Sequence, residues 1–402
     1  MAAFLRKLSK VKPAVSLVIL FILLAFVFTY AMFQGGFVSW FLFFSFLPFA
    51  LYSILLFFYP MKFQTERILP SRVYSAGDSI DVTLILTRKL PFPLLFLLIE
   101  DGMSGSLNQH DIKRMYFPGF KRRLKATYTI RNASRGEHFF TGVRIKTGDA
   151  LGLLEKEKQF PCKQSILVYP SYDEMFYKSF RSMLEQGGIL SGTKLQNDAS
   201  IVAGIREYIP GDRFSWIDWK ASARSNEMMT KEFEMRESGD LLIILDLMPA
   251  EQFELLVEFA ASAARTVLRN GGETGLFLPG KEKVFIPSSG GERQERTIFY
   301  HLAKVKPDSS LSLEKHFVEP ALAGQPTVFA AITSRISKPL IDGAGKLIGQ
   351  KGLMVIYVVK GKKEKLTPEE TAMAATASGN GVIVHIVDGE NWKSAFVGVK
   401  QA

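Results

Sequence analysis

Acidic residues crowd together near the middle of this chain, and their type and spacing could support acid–base chemistry. Glu207, Asp212 and Asp218 share one short segment with Arg206 and Arg224. A positioned carboxylate can accept or donate a proton during bond cleavage, so a hydrolase supported by the two arginines is one interpretation. The other is a buried network of ion pairs that fixes a helix against a sheet. We favour the network, because structural ion pairs frequently resemble active sites.

The segment that contains these acids, residues 204–224, also carries the pattern of a turn and a short helix. Pro210 and Gly211 predict the turn, and Asp212 is in position to cap the helix that follows. Apolar side chains recur in that helix at intervals of three and four residues and predict one packed face. They are Trp216, Trp219 and Ala223.

Asp218 lies beside that apolar face, so we expect a partly buried carboxylate that contacts a guanidinium group. Arg206 and Arg224 are the nearest candidates in the sequence. Replacing Asp218 with alanine would then leave the guanidinium without its partner, and we expect the fold to be destabilised.

Candidate sites for metals and cofactors fail on their spacing. Residues 275–282 resemble a phosphate-binding loop, but Glu282 occupies the position where Ser or Thr should hold magnesium. The histidines show no metal-ligand spacing, and the single cysteine, Cys162, excludes a cysteine-based zinc site and an internal disulfide. The sequence therefore predicts no cofactor.

One further aspartate occupies a position where other proteins bind metals. Residues 241–245 form a continuous apolar run, which is typical of a strand covered on both faces, and Asp246 follows at its carboxyl end. An aspartate there can bind magnesium when nearby hydroxyl groups complete the oxygen shell. Residues 247–250 supply no side-chain oxygen, so we predict no metal and a structural or helix-starting role for Asp246.

Two apolar runs near the beginning of the chain are long enough to cross a bilayer. Residues 14–33 and 37–59 contain no charged side chain and are each about twenty residues long. A secretory signal followed by a core helix is the alternative, but no small-residue cleavage site follows the first run. Basic residues flank the pair of runs, so we predict a helical hairpin with the N-terminus and all later segments in the cytoplasm. They are Arg6, Lys7, Lys10, Lys12, Lys62 and Arg67.

The rest of the chain divides by the period of its apolar residues. Residues 1–62 form the anchor, and residues 63–170 alternate in the manner of short strands, which predicts a small β-sandwich. Residues 171–238 link this domain to the next and contain the acidic segment. In residues 239–402, apolar runs alternate with helical patterns, which predicts an α/β domain with a mostly parallel sheet.

The net charge of +11 over 402 residues is compatible with nucleic acid, an anionic membrane or an acidic partner. Aromatic and basic residues are interleaved between Lys113 and Arg123, as they are in some nucleic-acid-binding proteins. We favour a hairpin with solvated charges near an anionic membrane, and we do not expect nucleic-acid binding. A basic protein that binds the membrane surface is thus a third class of function. Nothing in the sequence predicts the oligomeric state.

Several short motifs together resemble a known bacterial family. They are Arg206-Glu207-Tyr208, Pro210-Gly211-Asp212, Ile217-Asp218-Trp219 and Ala223-Arg224 in the acidic segment, and Arg135-Gly136, Gly142-Val143, Asp149-Ala150-Leu151-Gly152 and Val168-Tyr169-Pro170 before it. On these residues the chain is identified as a member of the bacterial domain-of-unknown-function family 58. Arg213 departs from the pattern, because members often carry a second acid at that position.

The resemblance implies two membrane spans, a β-rich domain and a von Willebrand factor A-like domain. It also implies association with MoxR-type AAA+ ATPases and with membrane proteins that bear transglutaminase-like domains, and no established enzymatic activity. Metal-binding von Willebrand A domains carry Asp-x-Ser-x-Ser at the first strand end, where this chain matches only at Asp246, so the implied metal site is degenerate. We expect a non-enzymatic, cytoplasm-facing scaffold or assembly factor in a bacterial cell membrane.

Overall fold

A computed structural model of the chain forms two compact units, residues 1–169 and 170–402, and each is described by itself. The structure describes residues 2–70, 73–104, 112–176, 202–209, 212, 214–225, 227–233, 241–322, 328–348, 353–361, 364, 367–377, 382–388 and 393.

Two long apolar helices begin the first unit. α1 (Ala2–Gln34) and α2 (Phe37–Phe58) are joined at Gly35, which has a φ of 59°. The helices contact each other through aromatic rings, with the Phe28 and Trp40 centroids 6.4 Å apart. Each helix contains a stretch long and apolar enough to cross a membrane, and most large apolar side chains on both remain exposed. This surface indicates membrane association, as the sequence predicted.

The remainder of the first unit is built from β-strands. They are β1 (Phe63–Ile68), β2 (Tyr74–Ser75), β3 (Ile80–Arg88), β4 (Leu97–Ser104), β5 (Ile112–Tyr116), β6 (Arg123–Ile130), β7 (Gly136–Gly148), β8 (Glu155–Phe160) and β9 (Gln164–Tyr169). One sheet has the order β1-β3-β6, and the other has the order β2-β9-β7-β4-β5 with β8 also paired to β7. Buried side chains from both sheets form a single hydrophobic core. The prediction of a sheet-rich region after the apolar helices is confirmed.

The end of α2 is part of that core. Leu56 at the end of the helix and Met61 just beyond it are buried in the same hydrophobic cluster as the strands. The Nζ of Lys156 on β8 donates hydrogen bonds to the carbonyl oxygens of Leu56, Phe57 and Tyr59, at 3.0, 2.8 and 2.7 Å. Carbonyl groups in the last turn of a helix have no partner within the helix, so the partly buried ammonium group of Lys156 stabilises them. This burial lowers the pKa of the Lys156 ammonium.

A buried ion pair lies between the two sheets of the first unit. The guanidinium of Arg67 forms a two-pronged contact with the Asp101 carboxylate, and the exposed fractions of the side chains are 0% and 1%. The Tyr128 hydroxyl donates to the same carboxylate, and Arg67 also donates to the Cys162 carbonyl oxygen at 2.5 Å. Arg67 was counted above as a charge flanking the second apolar run, but it is a buried partner within the β-strand core.

The second unit contains a six-stranded sheet, with the order β14-β13-β12-β15-β16-β17. Its strands are β12 (Leu241–Leu245), β13 (Thr274–Pro279), β14 (Lys283–Ser289), β15 (Val328–Thr333), β16 (Leu353–Val359) and β17 (Val382–Val387). All neighbouring strands are parallel except the edge strand β14, which runs antiparallel to β13. A mostly parallel sheet follows the helix–strand alternation that the sequence predicted for this region.

Helices cover both faces of this sheet. They are α4 (Phe253–Arg269), α5 (Glu292–Lys304), α6 (Lys338–Ile348) and α7 (Pro368–Ala377). On one face Phe259 of α4 contacts Tyr357 of β16, with ring centroids 5.0 Å apart. Neighbouring side chains along a strand point to opposite faces, and Ile356 packs instead with Leu340 and Ala344 of α6.

A small hairpin with a short helix belongs to the second unit but not to its large sheet. β10 (Val202–Glu207) pairs antiparallel with β11 (Met229–Phe233), and between them lie a 3-10 turn (Phe214–Trp216) and α3 (Trp219–Ser225). We call the described residues from 204 to 231 the signature module, because they contain the central sequence motif. The sequence predicted the turn and the helix here but not β10.

Candidate functional site

The two strands of the signature module set the positions of its charged residues. Arg206 on β10 lies opposite Thr230 on β11, and Glu207 lies opposite Met229. The pairing continues one residue further, because the Tyr208 amide donates to the Met228 carbonyl oxygen at 2.8 Å. The residues at positions 205, 207 and 209 are exposed, whereas those at 204, 206 and 208 are partly buried. Alternate exposure of this kind is expected of a strand with one solvated face.

Asp212 forms an ion pair with Arg206. Two guanidinium nitrogens of Arg206 donate to the two carboxylate oxygens of Asp212, each at 2.8 Å. Asp212 also accepts from the Ile209 amide at 3.1 Å, and Arg206 donates to the Glu207 carbonyl oxygen at 3.0 Å. The hydrogen bonds from Arg206 and then from Ile209 lower the pKa of Asp212, so the carboxylate is charged at neutral pH. The pair therefore fixes the path of the chain as it leaves β10.

Asp218 caps α3. One of its carboxylate oxygens accepts from the Lys220 and Ala221 amides, both at 3.0 Å. These backbone hydrogen bonds, that from Ala221 most of all, lower the pKa of Asp218. An aspartate at this position satisfies amide groups that the first turn of a helix leaves free. Two of the three acids therefore have structural roles: Asp212 holds Arg206, and Asp218 caps α3.

The two predicted roles of these aspartates were wrong. We expected Asp212 to cap the helix and Asp218 to contact a guanidinium group, but Asp218 is the cap and Asp212 holds Arg206. The physical reason is the 3-10 turn at Phe214–Trp216, which delays the start of α3 to Trp219. The residue in front of the helix is consequently Asp218.

Ser222 fastens α3 to β11, and the sequence analysis missed it. Its hydroxyl donates to the Asp218 carbonyl oxygen at 2.8 Å and accepts from the Met229 amide at 2.8 Å. The Asp218 amide in turn donates to the Met229 carbonyl oxygen at 2.9 Å. A serine four residues after a capping aspartate was the available signal, because a helical hydroxyl can bond the carbonyl one turn earlier.

The apolar residues of the module do not form the packed face that we predicted. Trp219 is 68% exposed, and Ala223 is also exposed. Phe214 and Ile209 are 73% and 59% exposed, and the Phe214 ring stacks on Tyr208 at a centroid distance of 6.3 Å. The prediction was wrong because α3 is short and is held to β11 by hydrogen bonds. Its tryptophan therefore stays on the surface.

Asp246 lies where the sequence predicted, at the carboxyl end of β12. Its carboxylate oxygens accept from the Met248 amide at 3.0 Å and from the Thr333 hydroxyl at 2.7 Å. Burial raises the pKa of Asp246. These contacts tie the end of β12 to the end of β15. The described parts of the chain contain no group of three His, Cys, Asp or Glu that could hold a metal ion, and Asp246 accepts its hydrogen bonds from an amide and a hydroxyl group.

Comparison with known sequences places this chain in a family. A sequence model of the family described as protein of unknown function DUF58 matches residues 204–390, a range that includes the signature module and the large sheet. One relative is the uncharacterized protein YeaD of Bacillus subtilis (strain 168), which is 39% identical over 383 residues, covering 93% of this chain and 95% of YeaD. The chain belongs to the DUF58 family. The resemblance seen in the sequence motifs is confirmed.

Two solved structures show weak similarity to this DUF58 protein. The CARDB domain of a Pyrococcus furiosus protein, solved in complex with di-metal ions, is 10% identical with a TM-score of 0.20, over 27% of this chain and 87% of its own. Proximal thread matrix protein 1 from the mussel byssus is 13% identical with a TM-score of 0.29, over 39% of this chain and 46% of its own. Similarity at this level supports no argument about fold or ligands.

The remaining residues of the family motif differ from one another in their exposure to solvent. Glu207 and Arg224 are exposed, and Tyr208 is partly buried beside Phe214. Pro210 and Gly211, as well as Arg213, lie outside the described residues. Within the described part of the signature module, Asp212 bonds to Arg206, Asp218 bonds to the first turn of α3, and Glu207 is exposed. The charges of Asp212 and Asp218 position the backbone, and the exposed surface of the signature module carries aromatic as well as charged side chains.

Proposed function

We propose that this DUF58 protein is a membrane-anchored scaffold whose signature module binds a partner protein on the cytoplasmic side of a bacterial membrane. The observation that carries the proposal is the exposure of Trp219, which is 68% accessible although it belongs to the family motif. Its neighbour Asp218 is used to cap α3. A tryptophan that a capped helix holds in solvent is available to a partner.

The arrangement of charged and apolar residues in the signature module also supports this proposal. Arg206 and Asp212 are engaged with each other and with nearby backbone groups. Around them Ile209, Phe214 and Trp219 are all more than half exposed. Tryptophan supplies a large share of the binding energy in many interfaces, because its ring buries a large area at a small cost in conformational entropy.

The anchoring and its orientation rest on the two apolar helices and on charge. α1 and α2 would cross the membrane as a hairpin, and the basic residues in the first part of α1, before its apolar stretch, together with Lys62 favour a cytoplasmic location for both flanks. Arg67 no longer contributes to this argument, because it is paired with Asp101 inside the first unit. A single cysteine suits the reducing cytoplasm.

For the partner we propose a MoxR-type AAA+ ATPase, with a membrane protein that bears a transglutaminase-like domain as a further member of the assembly. This choice derives from the family resemblance. We also propose that the large sheet of the second unit is von Willebrand A-like, with Asp246 as the remnant of a degenerate metal site. Such a domain would act by presenting a surface rather than by binding a metal.

A photo-crosslinking residue at position 219 tests the proposal in the native membrane. We expect it to crosslink to a MoxR-type ATPase, whereas the same residue at Val318, which is 86% exposed in the second unit, should not. Trp219→Ala should reduce recovery of the ATPase with the full-length protein by about tenfold or more, as is typical of a central interface tryptophan. Val318→Ala should leave recovery unchanged.

Equal crosslinking from positions 219 and 318, or recovery that survives Trp219→Ala, would contradict the proposed role of the module. Recovery of other proteins without the ATPase would contradict the choice of partner and leave the binding surface intact. Circular dichroism of Trp219→Ala should match the unchanged protein, because the side chain contributes little to packing.

A further inference from the structure

Two loops of the first unit lie beside the last turns of α2. The hydroxyl of Tyr52 donates to the Pro93 carbonyl oxygen at 3.0 Å and accepts from the Leu95 amide at 3.3 Å. Phe92 stacks on Tyr59, with ring centroids 4.8 Å apart. The loop between β3 and β4 is therefore held along the side of the helix.

The second loop connects β5 to β6 and is fastened to the first. Leu94 and Gly119 exchange backbone hydrogen bonds of 3.1 and 3.2 Å. Arg88 donates to the carbonyl oxygens of Lys121 and Gly119, at 2.8 and 2.5 Å. Gly119 has a φ of 54°, a conformation that glycine adopts most readily, so the chain turns sharply between the exposed side chains of Phe117 and Phe120. We call residues 89–95 and 117–122 the paired loops.

The position of Tyr52 fixes how far the paired loops extend along the helix. α2 ends at Phe58, six residues after Tyr52. At 1.5 Å of rise per residue, the contact lies about 9 Å before the helix end. If α2 crosses a bilayer, as proposed above, the loop at this level is next to lipid rather than bulk water. The inference that follows rests on that proposed span.

The side chains of the paired loops have the character of an interface with lipid. Leu90, Leu95, Phe117 and Phe120 are 53%, 43%, 75% and 68% exposed. In water, four exposed apolar side chains on two joined loops would be unfavourable. Basic residues stand at the margins of both loops, and neither loop contains an acid. The basic residues are Lys89, Lys121 and Arg122, and all are exposed.

We propose that the paired loops are inserted into the boundary between headgroups and acyl chains of an anionic bilayer. Leu90, Leu95, Phe117 and Phe120 would enter the apolar side of this boundary, and the three basic side chains would bind lipid phosphates. Apolar side chains with flanking positive charge are the combination that binds anionic membrane surfaces. The first unit is then held by its loops as well as by its helices, which limits its tilt against the membrane.

Site-directed labelling of the full-length chain tests this surface. In a Cys162→Ser background, an environment-sensitive fluorophore is attached at Phe117→Cys or Phe120→Cys, and the protein is reconstituted into phosphatidylcholine vesicles with or without phosphatidylglycerol. Lipids that carry a nitroxide near the headgroup should quench both labels several-fold more strongly than they quench a label at Val73→Cys. The quenching should be stronger when phosphatidylglycerol is present, because of the basic margin.

Val73 is a matched control because it is equally exposed but lies far from α2. Its exposed fraction is 73%, against 75% for Phe117. The adjacent Tyr74 pairs with Val168, which pairs with Gly136 at the first residue of β7. The other end of β7, at Gly148, precedes Asp149, whose carboxylate contacts Ser53 of α2 at 2.6 Å. The thirteen residues of β7 separate the two ends by about 40 Å.

A label at Phe44→Cys, on the exposed surface of α2, separates the two proposals. Quenching at position 44 by nitroxides deep in the acyl chains, with labels at 117 and 120 that behave as the one at 73 does, would overturn the loop insertion and keep the span. A water-exposed label at position 44 would overturn the span and the insertion with it. Labels at 117 and 120 that are shielded from water but not quenched by lipid would show a protein occupant, and would also overturn the proposal.

Discussion

An Arg–Asp pair occurs in each unit of this protein, and the two pairs differ in their surroundings. Arg67 and Asp101 have side chains that are 0% and 1% exposed, whereas Arg206 and Asp212 are 36% and 13% exposed. The first pair carries a tyrosine hydroxyl on its carboxylate and lies over the Phe140 ring, with 4.2 Å between the guanidinium carbon and the ring centroid. The second bonds mainly to the backbone of its own turn.

The difference concerns what each pair would cost to break. A charge that loses its partner in the core has neither an opposite charge nor water to stabilise it, whereas water solvates a charge that loses its partner at the surface. The buried pair therefore determines whether the first unit folds. The partly exposed pair of Arg206 and Asp212 holds a turn, and the family motif contains this pair. The charged residues Asp212 and Asp218 of this motif hold the backbone of a turn and of a helix start.

Removing one buried partner should have the largest effect. Asp101→Ala leaves the Arg67 guanidinium in the core without its carboxylate, and we expect a loss of about 3–5 kcal/mol in the free energy of unfolding. Denaturant unfolding of the full-length protein in detergent micelles measures this loss. The double variant Asp101→Ala with Arg67→Met should recover much of the loss, because no charge is stranded. If the double variant is as unstable as the single one, lost packing rather than the isolated charge is the cause.

An intermediate effect is expected at Asp246, which is buried but accepts its bonds from an amide and a hydroxyl. Its pKa is raised by burial, so the folded protein favours the protonated acid. The contribution of this group to stability is complete below the unfolded pKa, near 3.8, and declines as pH rises through the higher folded value. Asp246→Asn removes the ionisation and keeps an oxygen for Met248. The difference in melting temperature between variant and unchanged protein should move in favour of the variant as pH rises from about 4 to about 7.

A constant difference across this pH range would contradict the raised pKa of Asp246. The Thr333→Val variant is a useful control, because it removes the hydroxyl donor from the carboxylate without removing the titrating group. Thr333→Val should lower the melting temperature at every pH. The pH dependence that comes from Asp246 should remain in this variant, whereas Asp246→Asn should abolish it.

The smallest effect on global stability is expected at Asp212. Asp212→Asn weakens the two-pronged contact with Arg206, yet the melting temperature of the full-length protein should change little. The turn itself should loosen, and faster hydrogen exchange at the Ile209 amide measures this change. The lowered pKa of Asp212 means that the order of the turn is present above the unfolded pKa and is lost as pH falls through the folded value. A large drop in melting temperature would show that the Arg206–Asp212 pair, like the buried Arg67–Asp101 pair, contributes strongly to global stability.

The sequence predicts the parts of this fold that depend on local pattern. The uncharged runs of the anchor, the alternation in β3 and β6 and the apolar run of β12 each indicate their element without knowledge of the rest of the chain. The partner of Asp101 could not be predicted in this way, because Arg67 lies 34 positions away and the two meet only when two sheets form a common core. Even for near neighbours, a single 3-10 turn was enough to exchange the roles of Asp212 and Asp218.

Trp219 shows a second limit of local pattern. Its spacing from Trp216 and Ala223 indicated a packed face, but a face is packed only if another element covers it, and the sequence around α3 does not say which element would do so. The motif identified the family from the sequence, whereas the exposure of Trp219 could be seen only in the fold.

The contacts between Lys156 and the last carbonyl groups of α2 have a consequence for how the protein is made. The β-strands of the first unit cannot complete their core until Leu56, Tyr59 and Met61 are in place. If the second helix crosses a membrane, as proposed, its insertion would precede the final closure of that unit, since an unplaced helix leaves a gap in the core and leaves the Lys156 ammonium without these acceptors. On that proposal, a chain whose second helix fails to insert would keep an incomplete core and stay open to proteolysis, so one folding step would couple placement in the membrane to survival of the protein.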